Sequence, residues 1–144
     1  MKINSKAYGP IEVNKECIFN FSQGIPPFYN LKKWALFEAK QKPFYILQSL
    51  DDEQIAFFLL SPLLFEENYK VEAALSDLTR LKINDINQSL CLAIVNIPTG
   101  KAHELTANLQ APVIFNEETQ LANQCISTNP NWQIRHNLLA RAAS

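Results

Sequence analysis

Glycine is conspicuously scarce in this 144-residue chain, which contains only Gly9, Gly24 and Gly100. Average usage is about 7%, so a chain of this length ordinarily holds about ten. Nucleotide-binding loops need clustered glycines, because the backbone must approach the phosphates closely. The three glycines lie far apart in the sequence, which argues against a P-loop and against a dinucleotide-binding loop.

Long hydrophobic runs are also absent. The longest mostly apolar stretch, residues 55–65, is interrupted by Ser61 and Pro62. It is much shorter than the roughly 20 residues that a helix needs to cross a bilayer. The N-terminus mixes lysine with polar residues and lacks the apolar core of a secretory signal. We therefore expect a cytoplasmic protein with no membrane partner.

Positive charge is not in excess. The chain has 13 Lys and Arg against 14 Asp and Glu, a formal net charge of −1. Proteins that bind nucleic acid directly normally carry a basic stripe that neutralises phosphates. We expect no direct nucleic-acid binding. The length, with 47% hydrophobic residues, predicts a single domain over residues 1–144, with a less regular tail from about residue 128.

Cysteine and histidine are few and scattered. The three cysteines, Cys17, Cys91 and Cys125, are odd in number and far apart, which favours reduced thiols. The cysteines and the two histidines, His103 and His136, also lack the paired spacing of a zinc site. Free cysteine commonly behaves as a small buried hydrophobe. We therefore expect core cysteines, no metal, no cofactor and no catalytic residue. The alternative is a small enzymatic or ligand-binding barrel with a Cys or His at its mouth, which a polar pocket would favour.

Short strands dominate what the sequence does contain. Phe44, Ile46 and Gln48 alternate with Tyr45 and Leu47, which is the period of a half-buried strand. An acidic corner follows, and then a second apolar run, so this segment predicts two strands around a turn. Further strands are predicted over residues 17–21, 34–38, 90–97, 105–109, 113–115 and 121–126.

Helical signals are weak by comparison. A helical turn is predicted at residues 30–33, and Ser76 is placed as the N-cap of one helix of about two turns. Short strands with turn signals every 8 to 12 residues are typical of a small barrel or sandwich. The predicted fold class is mostly β, a small antiparallel β-barrel-like single domain with one short helix.

Acidic residues concentrate in residues 51–72. This segment contains six carboxylates and a single basic residue, Lys70, which gives a local charge of −5. Residues 1–50 carry a local charge of +4. Such polarity can steer a basic partner, although charged turns are commonly no more than solvated faces. Phe65 and Tyr69 bracket the acidic pair in this segment. Aromatic side chains beside charge occur at interface centres, but they equally seal a barrel.

Several stretches, taken in order, resemble the FliW family of flagellar assembly factors. They are Gly24–Phe28, Pro43–Phe57, Ser61–Val71, Ala93–Pro98 and Thr106–Asn116. The resemblance covers residues from about 18 to 136 and departs from the family at Pro27, where glycine is common. It implies a compact β-barrel-like fold.

The resemblance also implies a function without catalysis. FliW-type proteins bind CsrA, a basic RNA-binding translational regulator, and oppose its repression of flagellin synthesis. They also bind flagellin, which gives a chaperone-like switch based on partner exchange. The concentration of acidic residues in residues 51–72, taken with the resemblance, predicts Asp51, Asp52, Glu66, Glu67 and Tyr69 as partner-binding residues.

Overall fold

The computed structural model describes residues 1–98, 100 and 104–138. His103 therefore lies outside the described residues. Within them the strands are β1 (Lys2–Ser5), β2 (Gly9–Glu12), β3 (Ile18–Phe21), β4 (Lys33–Glu38), β5 (Tyr45–Ser49), β6 (Ala56–Leu60), β7 (Leu90–Asn96), β8 (Thr106–Ala107), β9 (Val113–Asn116), β10 (Leu121–Gln124) and β11 (His136–Asn137). The helix α1 spans Leu75–Arg80, and 3-10 turns span Lys15–Cys17, Pro62–Leu64 and Ile86–Gln88.

Seven of these strands close into a barrel. Their order is β7, β6, β5, β4, β3, β10 and β9, and β9 pairs back onto β7 through Cys91 opposite Ile114. Closure removes exposed strand edges, which would otherwise invite pairing with other chains. The predicted mostly β, barrel-like fold with a short helix is confirmed. One pairing is not antiparallel: β10 runs parallel to β3.

The period of two decides which side chains fill the barrel. Alternate residues of the seven strands point inward, and Phe19 packs edge-on against Phe115 with ring centroids 4.9 Å apart. Trp34 is completely buried, and its Nε1 donates a hydrogen bond to the Leu31 carbonyl oxygen at 2.9 Å. The buried core cluster comprises Phe19, Phe21, Ile25, Trp34, Leu36, Leu47, Leu59, Leu92, Val113, Phe115 and Ala122.

The outer face of the barrel is also largely covered. The β1–β2 hairpin packs on Ala35, the segment after β6 and the tail pack on Ala93 and Val95, and the α1 region packs on Ile114. β7 carries buried residues on both faces, Leu92 on one and Ala93 and Val95 on the other, which explains its largely apolar run. Residues 128–138 form turns apart from β11.

Three local predictions were wrong. Residues 30–33 form no helical turn, since β4 already begins at Lys33. Ser76 does not cap α1: the N-cap position is Ala74, and no side chain supplies a capping hydrogen bond there. The strand predicted over residues 17–21 begins only at Ile18, because Cys17 ends a 3-10 turn and packs beneath the β1–β2 hairpin instead. In each case tertiary contacts outweighed a weak local preference.

Candidate functional site

The acidic corner (Asp51, Asp52 and Glu53) lies in the exposed turn between β5 and β6. Its shape is set by Ser49, whose Oγ accepts hydrogen bonds from the backbone N–H of Asp51 at 3.2 Å and of Asp52 at 3.0 Å. Asp52 Oδ1 accepts from the Gln54 backbone N–H at 3.0 Å. Such side-chain bonds replace the strand ladder at a turn, so the carboxylates are held at the end of the β5–β6 hairpin.

Asp51 is more than a solvated charge. Its Oδ2 accepts hydrogen bonds from the backbone N–H groups of Lys32 at 3.0 Å and Lys33 at 3.3 Å. These bonds join the acidic corner to the start of β4, 18 to 19 residues earlier in the chain. Asp51 therefore has a structural function in addition to any contact with a partner.

Glu66 and Glu67 lie beyond the opposite end of β6. Glu66 is half-buried and its Oε1 accepts from the Asn68 backbone N–H at 3.3 Å, whereas Glu67 is exposed. β6 runs from Ala56 to Leu60, so its length alone is about 13 Å at a rise of about 3.3 Å per residue. The structure thus places the acidic corner and the Glu66–Glu67 pair as two separate surfaces.

Tyr69 is buried, with 5% of its surface exposed. Its Oη donates a hydrogen bond to the Leu109 carbonyl oxygen at 2.8 Å, and its ring lies 4.8 Å from the Trp132 ring. Burial raises the pKa of the Tyr69 phenol, so the group stays neutral and acts as a donor. The sequence leaves two functions open for Tyr69, contact with a partner and sealing of the barrel. This geometry corresponds to the second.

A groove runs between the segment after β6 and the tail. We call it the tail groove, and its lining residues are Glu67, Asn68, Tyr69, Lys70, Glu72, Asn129 and Trp132. Glu72 and Trp132 were not predicted as site residues from the sequence. They are 60 residues apart, and no local pattern links them. The signal that was available is a tryptophan in a tail that was predicted to be less regular.

Cys91 and Cys125 have the surroundings of inert thiols. Burial raises the pKa values of Cys91 and Cys125 to about 12, which leaves almost no thiolate near neutral pH. Among the described residues, no group of three or more His, Cys, Asp and Glu has the arrangement of a metal site. His136 packs against Phe65 with ring centroids 5.5 Å apart. Four surface grooves on the described part of the chain have no Cys or His in their linings.

In the described ranges, no helix has the length and apolar composition needed to cross a membrane.

Together, the fold and surface define a class of protein. It is a small closed β-barrel, filled with aromatic and aliphatic side chains, that displays carboxylates on turns at both ends of β6. Comparison with known proteins identifies the family. The sequence model of the FliW protein matches residues 2–138, and the chain therefore belongs to the FliW family.

Individual relatives agree with this family over nearly the whole chain. A flagellar assembly factor FliW of Leptospira interrogans serovar Lai is 35% identical over 144 residues, covering 99% of this chain and 96% of its own. The protein of the same name from Caldanaerobacter subterraneus is 37% identical over 141 residues, covering 96% and 93%. A crystal structure of the flagellar assembly factor FliW superposes with a TM-score of 0.86 at 33% identity, covering 96% of both chains.

Proposed function

We propose that this protein is a cytoplasmic flagellar assembly factor that binds a CsrA-type translational regulator and thereby opposes repression of flagellin synthesis. Family membership over residues 2–138 is the observation that carries the proposal. The displayed carboxylates support it further, because a basic regulator is attracted to acidic surfaces. No catalytic step is part of this function.

Flagellin is the second partner in the proposal. While unsecreted flagellin accumulates, it occupies the protein and leaves the regulator free to repress. Secretion of flagellin releases the protein, which then binds the regulator and lifts repression. Such a switch operates by mass action and requires only that the two binding sites overlap or are coupled.

Two surfaces are candidates for the regulator site. One is the acidic corner, with Asp51 and Asp52 exposed. The other consists of Glu66 and Glu67 with the adjoining tail groove. Their separation along β6 exceeds the Debye length of about 8 Å at physiological ionic strength, so each surface steers a partner largely independently. We propose the Glu66–Glu67 surface as the principal site, because it adjoins a groove with aromatic walls.

The test uses the purified protein, a CsrA-type regulator and a labelled flagellin leader RNA in a gel-shift assay. We expect the protein alone to leave the RNA unretarded at moderate salt, and to release the RNA from its complex with the regulator. Addition of flagellin should restore the regulator–RNA complex. Retardation of RNA by the protein alone, or failure to release the RNA, would contradict the proposal.

A further inference from the structure

Two buried polar atoms in the tail groove lack hydrogen-bond partners. They are Glu72 Oε2 and Trp132 Nε1, and both residues line the groove. A third such atom, Gln110 Oε1, belongs to a residue that does not line it. Buried polar groups in folded proteins are nearly always satisfied, so an acceptor and a donor without partners in one groove point to a ligand that supplies both.

The groove is rigidly built around these two residues. The Glu72 carbonyl oxygen accepts a hydrogen bond from the Thr128 backbone N–H at 2.7 Å. The next residue, Ala73, forms an antiparallel bridge with Ser127. These contacts tie the Glu72 segment to the start of the tail. The tail's Trp132 in turn packs on Tyr69. The segments that carry Glu72 and Trp132 are therefore held against each other by the fold.

The charge and the aromatic wall define the ligand. The groove contains the side chains of Glu67, Lys70 and Glu72, so its formal charge is negative. An indole ring next to a carboxylate is a favourable environment for a cation, since the ring face attracts positive charge. Arginine suits it better than lysine, because the planar guanidinium stacks on aromatic rings and is more weakly hydrated.

We propose that the tail groove receives one arginine side chain of a protein partner. The guanidinium donates to Glu72 Oε2 and lies against the Trp132 ring, and a main-chain carbonyl oxygen of the partner accepts from Trp132 Nε1. This inference rests on the proposed function only in naming the basic regulator as the source of the arginine.

The decisive experiment observes the Trp132 indole N–H directly by NMR. The chain has two tryptophans, and Trp34 Nε1 is fully engaged with Leu31, so the two indole signals report different environments. N-acetylarginine amide is titrated into the full chain to tens of millimolar, and N-acetylcitrulline amide serves as the neutral isostere. We expect the arginine probe to shift the Trp132 signal and the citrulline probe to leave it in place. Equal shifts with both probes, or no shift with either, overturn the proposal.

Variants separate a ligand site from a structural contact. Glu72→Gln keeps the shape and removes the charge, and it should weaken the arginine response about tenfold. Trp132→Phe keeps an aromatic ring but removes the N–H donor. The indole N–H signal that disappears in this variant is therefore that of Trp132. Glu118→Gln, an exposed carboxylate on another turn, is the matched control and should respond like the wild type. An undiminished response in Glu72→Gln overturns the proposal.

The regulator itself supplies the second readout. Glu72→Gln and Trp132→Phe should each weaken its binding about tenfold, whereas Glu118→Gln should not. If the wild-type protein binds no regulator, the proposed function fails. The probe titration still shows whether the tail groove binds arginine. If the wild type binds and both groove variants bind equally well, the groove proposal alone fails.

Discussion

Tyr69 and Leu109 are joined by a buried hydrogen bond of 2.8 Å from the phenol Oη to the carbonyl oxygen, across 40 residues of sequence. The bond connects the segment after β6 with the segment after β8, and both belong to the cluster that covers the outside of the barrel. Tyr69 thus positions one wall of the tail groove from inside the protein.

Replacement of Tyr69 by Phe should lower the free energy of unfolding by about 1–3 kcal/mol, because the Leu109 carbonyl loses its partner while it stays buried. Urea denaturation measures the change. Tyr29→Phe is the matched control, since Tyr29 is 60% exposed and should change stability by less than about 0.5 kcal/mol. A Tyr69→Phe variant as stable as the wild type would show that the bond is unimportant.

Gly24→Ala should destabilise the protein severely. Gly24 has φ of +64°, and an added Cβ would lie 2.5 Å from the Phe28 carbonyl oxygen and 2.7 Å from Tyr29 Cα. Gly9→Ala is the matched control, because Gly9 has a similar φ of +70° but nothing within 4 Å of its Cβ position. We expect Gly9→Ala to cost about 1 kcal/mol and Gly24→Ala clearly more. Thermal unfolding of both variants compares them, and equal losses would rule out the steric explanation.

Alkaline pH should destabilise the fold through its buried thiols. The pKa values of Cys91 and Cys125 are raised by burial to about 12, whereas an unfolded thiol has a pKa of about 8.5. Between these values the unfolded state loses protons and the folded state keeps them, so stability is full below about pH 8.5 and falls as the pH rises toward 12. The free energy of unfolding at pH 8 and pH 10 should fall less in Cys125→Ala than in the wild type.

Thiol labelling checks the same environment independently. At pH 8, both Cys91 and Cys125 should react much more slowly in the native protein than in denaturant, since thiolate is the reactive form. Rapid labelling of both thiols in the native state would contradict this account. So would a free energy of unfolding that depends on pH identically in Cys125→Ala and in the wild type.

The two acidic surfaces are distinguished by paired double variants. Glu66→Gln with Glu67→Gln should slow association with the regulator and reduce its salt dependence. Asp51→Asn with Asp52→Asn should alter association less, but lower the free energy of unfolding by about 1 kcal/mol, because Asp51 bonds two backbone amides. Binding kinetics at two salt concentrations provide the comparison. Unchanged kinetics in both variants would exclude both surfaces.

Much of the fold was predictable from the sequence, because side-chain alternation is a local property of an extended chain. The alternation of Tyr45 and Leu47 with Ile46 and Gln48 predicted β5, and the apolar run over residues 90–97 predicted β7. The family resemblance could also be recognised from the sequence, since it depends on short motifs that occur in a fixed order. The position of Cys17 could not, because a 3-10 turn interrupts the alternation just before β3.

Only the tertiary structure determined what lies next to what. Closure of β9 onto β7 and the parallel pairing of β10 with β3 depend on contacts about 25 and 100 residues apart. Backbone contacts between the Glu72 segment and the start of the tail likewise bring Glu72 and Trp132 into one groove. Composition shows that these charges and rings exist, but the register and closure of the barrel decide which of them meet.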